Sequence, residues 1–159
     1  MHQRPIHYGL ARCLHSRSGA QWTVAVVYHI GYCVKDLAAS TAEFEKLGFV
    51  RDGETVPDFA RNVQILFMRQ GPWRVELVSP LNDRSPVGSF LRKVGDTPYH
   101  ICYEVADVFA TLARLEGEGY RVIEAPASAP ALQGRMVSFL YNSAIGLIEL
   151  VEAEKRAEK

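Results

Sequence analysis

The 159-residue sequence predicts an α+β fold made of two tandem βαβββ modules that share one curved sheet. Three observations predict it. The triplet Tyr-His-Ile occurs twice, as Tyr28–Ile30 in VYHIGYCVKDL and as Tyr99–Ile101 in PYHICYEVADV, 71 positions apart. Tyr32, Val34, Asp36 and Gly48 return at the same offset as Tyr103, Val105, Asp107 and Gly119. Val75–Val78 returns as Ile148–Val151, now 73 apart, so the later loop carries two extra residues. A fixed repeat marks a supersecondary unit that recurs along the chain. One such unit leaves a sheet face uncovered, and two side by side can curl into a common cup.

Each element has a local reason. Val24–Val34 and Tyr99–Val105 are rich in β-branched and aromatic residues and read as the opening strands. Asp36 and Asp107 follow as helix N-caps, because a short acceptor side chain satisfies free backbone N–H groups. Val108, Leu112 and Leu115 share one helix face, as do Leu37, Phe44 and Leu47 in the first copy. Gly48 and Gly119 end the helices as residues that tolerate the left-handed conformation. Strands are expected at 49–52, 62–69 and 73–79, and again at 120–124, 135–141 and 146–151. The turns Gln70-Gly71-Pro72 and Asn142-Ser143-Ala144 close the last hairpin of each module. The chain thus divides into residues 1–22, a poorly ordered extension; one domain over 23–153, built from modules 23–80 and 97–153 with linker 81–96; and a tail, 154–159. A short helix is expected in the linker at Pro86–Lys93.

Composition narrows the function classes. Lysine and arginine balance aspartate and glutamate at 18 each, so no bulk charge favours nucleic acid or an anionic membrane. No apolar run approaches a membrane span, and residues 1–22 lack the apolar core of a secretory signal. Cys13, Cys33 and Cys102 are too few and too scattered for a disulfide framework or a zinc ribbon, and a reducing cytoplasm is the expected setting.

Strand side chains alternate between faces. Alternation puts Val26, Tyr28, Ile30, Tyr32 and Val34 under the helix, and turns His29, Gly31 and Cys33 into the cup. In the repeat, Tyr99, Ile101, Tyr103 and Val105 oppose His100, Cys102 and Glu104. Glu76 and Glu149 sit mid-strand between apolar residues that face the other way. Two imidazoles and two carboxylates thus occupy equivalent places in two copies of one module. Burying the carboxylates unpaired is costly, and a divalent cation removes that cost. Two N and two O donors suit Fe, Co, Ni, Zn or Mn, with positions left for water or substrate.

At these residues the chain resembles the vicinal oxygen chelate superfamily, which pairs βαβββ modules around one divalent metal in the glyoxalase/bleomycin resistance/dioxygenase-type fold. VYHIGYCVKDL, WRVELVSPLNDRSPVGSFL, PYHICYEVADV and GLIELVE are similar, in order, to motifs of methylmalonyl-CoA epimerases and of glyoxalase I-like proteins. The resemblance implies His29, Glu76, His100 and Glu149 as metal ligands. It implies an isomerase or lyase, of lactoylglutathione lyase or methylmalonyl-CoA epimerase type, that moves a proton beside a carbonyl through a metal-bound enediolate or enolate. Glu149 is then the expected base and Glu76 a ligand or second proton carrier. Arg61 and Arg135, at similar places in the two modules, are candidate substrate-carboxylate anchors, and Glu104 a hydrogen-bonding partner in the cup. Asp58, in TVPDFAR, reads as a loop charge, although it lies near an acid of the epimerases. The chain departs from the epimerase pattern in Tyr99-His100, where a double histidine is usual, and in FLYNS, where His-Pro-Lys is usual. The competing functions are an extradiol-type dioxygenase, which uses two histidines and one glutamate, and a non-catalytic antibiotic-binding protein. The expected partners are a small carbonyl or thioester substrate and a second copy of the chain, with no nucleic acid and no membrane.

Overall fold

The computed structural model describes residues 25–154; the expectations for residues 1–22 and for most of the tail lie outside them. The elements run β1 (Val26–Cys33), α1 (Leu37–Lys46), β2 (Val50–Arg51), β3 (Val56–Asp58), β4 (Val63–Gln70), β5 (Trp73–Pro80) and α2 (Pro86–Val94). They continue with β6 (Thr97–Val105), α3 (Val108–Gly117), β7 (Arg121–Ala129), a 3-10 turn (Pro130–Leu132), β8 (Arg135–Asn142) and β9 (Gly146–Glu152). All the strands belong to one sheet, in the order β2-β4-β5-β1-β6-β9-β8-β7, with β3 paired to the far side of β4. Each opening strand pairs parallel with the last strand of its own module, β1 with β5 and β6 with β9. The modules meet where β1 and β6 run antiparallel.

The helix ends follow the sequence. The Asp36 and Asp107 carboxylates accept hydrogen bonds from the N–H groups of Ala39 and Ala110, at 3.0 and 2.9 Å. Such a cap is worth about 1 kcal/mol. Gly48 and Gly119 adopt φ values of 89° and 90°, where a side chain would be strained. Val108, Leu112 and Leu115 are buried against Leu140, Ile148 and Leu150. Leu37 and Phe44 pack on the matching cluster of Val34, Leu66, Met68, Val75 and Leu77. Leu47 does not join them: it stands one residue past α1, and is 67% exposed.

A third cluster lies on the other face of the sheet, inside the cup. It joins Val63, Ile65, Phe67 and Val78 of the first module to Cys102, Val137 and Val151 of the second. Each buried leucine or valine contributes about 1.5–3 kcal/mol, so this shared layer fastens the modules together.

Strand alternation fails at two places. The β1–β6 register runs Val27 to Tyr103 and then His29 to Cys102, leaving Tyr28 without a partner. It runs Gly31 to His100 and then Tyr32 to Pro98, leaving Tyr99 without one. Each is a β-bulge, an extra residue that re-aims the local side chains. Tyr28 and Tyr99 therefore pack against the cup cluster, on the histidine side, and not under the helices. The bulges fall at the same point in both copies.

Candidate metal centre

His29 and His100 come from the central pair of strands, Glu76 from β5 and Glu149 from β9. Parallel pairing sets Glu76 opposite Gly31 and Glu149 opposite Cys102. The four side chains are 1–5% exposed. His29 Nε2 lies 3.1 Å from His100 Nε2, 3.0 Å from Glu149 Oε2 and 3.4 Å from Glu76 Oε2. His100 Nε2 lies 3.2 Å from Glu149 Oε2 and 3.6 Å from Glu76 Oε2. One donor atom from each residue lies within 4.8 Å of all the others.

The charges are strongly coupled. Burial pulls the His29 imidazole down, but the Glu76 and Glu149 carboxylates outweigh it and push it up to about 9. Burial raises Glu149, yet hydrogen bonds and charge from His100 and His29 hold it well below the usual carboxylate range. The Nδ1 atoms of both histidines are buried without a hydrogen bond. Two imidazole nitrogens facing each other beside two buried carboxylates form a donor set that suits a divalent cation. Such a set wants a positive charge at its centre.

Room for this convergence comes from small neighbours. A Cβ on Gly31 would lie within 2.4 Å of three atoms of the His100 ring. Each ring also meets an aromatic edge: His29 faces Phe67 at 5.3 Å and His100 faces Phe139 at 5.2 Å between centroids. Phe67 pairs with Glu76 across the β4–β5 hairpin, and Phe139 with Glu149 across β8–β9. The surroundings are as duplicated as the donors.

The two flanks beyond the phenylalanines differ. Beside Phe139 lies a cavity of about 650 Å³, lined by Glu76, Glu149, Tyr99, Leu147, Asp58 and Arg61 among others. Beside Phe67 the equivalent space is filled. The Arg74 guanidinium carbon lies 4.0 Å above the Phe67 ring and 5.0 Å from the Tyr28 ring. Arg74 Nη1 donates to the Tyr28 hydroxyl, and Nε pairs with Asp52 at 2.9 Å.

The candidate substrate contacts are distributed unevenly. Arg61 lines the cavity, but its Nη1 pairs with Asp58 at 2.7 Å and its Nη2 with Glu124 at 2.6 Å. It also donates to the Ser128 carbonyl, so it ties the first module to the second. Arg135 and Glu104 pair with each other, Arg135 also donates to the Glu152 carbonyl, and its guanidinium carbon lies 4.7 Å over the Tyr28 ring. They belong to the filled flank. Asp58, read from the sequence as a loop charge, is 1% exposed and held by Arg61. Its burial depends on the short strand β3, which the sequence pattern did not separate from the loop.

The described residues 28–139 match the family model of the Glyoxalase/Bleomycin resistance protein/Dioxygenase superfamily. The sequence is 30% identical to the mitochondrial methylmalonyl-CoA epimerase of Bos taurus over 87% of this chain and 81% of that protein. It is 31% identical to the ethylmalonyl-CoA/methylmalonyl-CoA epimerase of Cereibacter sphaeroides over 71% of this chain and 85% of that protein. The fold is similar to that of a Streptomyces coelicolor methylmalonyl-CoA epimerase solved with 2-nitronate-propionyl-CoA. That structure gives a TM-score of 0.72 at 26% identity, covering 81% of this chain and 97% of the other.

Proposed function

The chain belongs to the glyoxalase/bleomycin resistance protein/dioxygenase superfamily, and from that premise we propose that it is a divalent-metal-dependent epimerase of short branched acyl-CoA thioesters. The observation that carries this reading is the buried meeting of two imidazoles and two carboxylates beside a cavity of about 650 Å³. The similarity to methylmalonyl-CoA epimerases supplies the substrate class.

His29, Glu76, His100 and Glu149 would hold the cation, drawn from Ni, Co, Zn, Mn or Fe. When bound, it would stabilise negative charge that develops on a carbonyl oxygen as the neighbouring C–H ionises. The chain's own residues do the rest. Glu149, closer to both imidazoles than Glu76, takes the proton on the carbon beside the thioester carbonyl. Glu76, reaching the cup from the other module and carrying a proton at the start of the step, gives it to that carbon, so the turnover leaves Glu149 protonated and Glu76 ionised. A carboxylate from each module suits inversion, which needs access to both faces of a planar enolate. Val63, Ile65 and Val137 line the cavity wall and keep water from competing for the proton. Arg61, through Asp58 and Glu124, fixes the cavity mouth. Arg135 and Glu104 brace the filled flank, a role that replaces substrate contact for that pair.

The complete His/Glu/His/Glu set is also that of glyoxalase I, so the hemithioacetal of glutathione is the competing substrate. The extradiol reading fits less well, because the fourth donor occupies a place that dioxygen needs. Among the described residues no helix is long and apolar enough to cross a membrane. We place the enzyme in the cytoplasm, since Cys33 and Cys102 are buried free thiols, and as a homodimer, since the sheet has open edges at β2 and β7. The test is proton exchange in D₂O with metal-loaded protein, methylmalonyl-CoA against the methylglyoxal–glutathione adduct. Deuterium entering the acyl-CoA alone is expected; uptake only into the adduct would overturn the substrate assignment.

A further inference from the structure

The duplicated bulges place one tyrosine on each flank of the centre, and the two have different company. The Tyr28 hydroxyl is taken up by Arg74. The Tyr99 ring lines the cavity, packed edge-on to His100 at 4.5 Å and near Phe90 at 6.0 Å. Among the described residues the Tyr99 hydroxyl makes no hydrogen bond, nor is it among the polar atoms sealed away without a partner. Phe139, Leu147 and the two carboxylates surround the same space. A phenol in a mostly apolar pocket needs a partner, and the only acceptors a substrate could add there are its oxygens.

We infer that Tyr99 donates a hydrogen bond to an oxyanion or carboxylate oxygen of the bound substrate beside His100. This deepens the epimerase reading and rests on it for the natural substrate. The chemical class recognised is a chelating pair of neighbouring oxygens, as in a malonyl-type acid or the enolate derived from it. A phenol keeps its proton at neutral pH, so the group is a donor and not a base. A donor aimed at charge that grows during reaction lowers the barrier more than it tightens ground-state binding. Tyr28, the same residue at the same bulge, is the internal control because its hydroxyl is already engaged.

The experiment uses Co(II)-loaded wild type, Tyr99→Phe and Tyr28→Phe, with metal content and thermal midpoint measured for each. Oxalate, a chelating oxyanion, is titrated while the visible absorption of the cobalt is followed. A hydrogen bond to a charged group is worth about tenfold or more in affinity. Tyr99→Phe is therefore expected to weaken oxalate about tenfold at unchanged metal content, and Tyr28→Phe to leave it within about twofold while lowering the thermal midpoint. Equal oxalate affinity in wild type and Tyr99→Phe overturns the inference, as does equal weakening by both substitutions. Deuterium uptake into methylmalonyl-CoA gives the second readout: kcat is expected to fall about tenfold to a hundredfold in Tyr99→Phe with KM little changed. If wild type exchanges no deuterium while oxalate still separates the variants, the epimerase reading falls and the donor role stands. If wild type turns over and Tyr99→Phe matches it, the donor role falls alone.

Discussion

The flank beside Phe139 is open and the flank beside Phe67 is closed, although the backbone around them is nearly the same. The strands, the bulges, the glutamates and the phenylalanines are all repeated. One difference is the side chain two residues before each glutamate, Arg74 in β5 and Leu147 in β9, to which Arg135 adds by stacking over Tyr28 on the closed flank. Leucine leaves a cavity; the arginine reaches over Phe67 and meets Tyr28 and Asp52. A duplicated scaffold thus becomes a one-sided site without any change of topology. The donor set uses the symmetry, because each module supplies one imidazole and one carboxylate. In the proposed function, substrate binding would use the asymmetry.

Glutamate substitutions give the largest effects. Glu149→Gln and Glu76→Gln are each expected to retain metal yet lose epimerisation by about 10²–10⁴-fold, because each carboxylate handles one of the two proton transfers. Epimerisation rates on metal-matched samples check this, and full activity in either variant would remove that carboxylate from the proton path. Gly31→Val is next. The His100 ring occupies the space the new side chain needs, so metal affinity should fall about 10–100-fold, measured by competition with a chelator. Cys102→Ala, at the equivalent place in β6, only shrinks a side chain and should leave metal affinity within about threefold on the scale of outer-shell effects.

Arg74→Ala should open the closed flank. Loss of the stacked guanidinium and its bond to Tyr28 is expected to cost about 1–3 kcal/mol of stability, read as a lower midpoint in urea. A crystal structure of that variant with the flank still filled would show that Phe67 and Tyr28, not Arg74, close it. The smallest effects concern the helix caps. Asp36→Ala and Asp107→Ala should each cost about 1 kcal/mol, and the double variant about the sum, because the caps lie in separate modules. A large departure from additivity in denaturant unfolding would mean that the helices report on each other through the seam.

Much of this was legible in the sequence because it is local or repeated. The caps at Asp36 and Asp107, the turns at Gly48 and Gly119, and the four donor positions all follow from spacing. The rest depends on pairing between distant strands. Alternation put Tyr28 and Tyr99 under the helices, and nothing within either strand says that its partner lacks one residue there. The same holds for Asp58, whose burial requires β3 to fold onto β4 and Arg61 to reach Glu124 in the other module. The contrast of Arg74 with Leu147 was visible as letters. Its meaning appears only when Phe67 and Tyr28 are seen on one side of the sheet.

The β1–β6 seam has a consequence for how the protein matures. Neither module owns a complete set of donors, so a half-made polypeptide emerging from the ribosome carries only one imidazole and one carboxylate of the four-residue set, too few to grip an ion tightly. In the metal-dependent reading, loading would therefore wait until β6 has docked and β9 has been synthesised, which would make ion capture a late step and a direct reporter of finished folding.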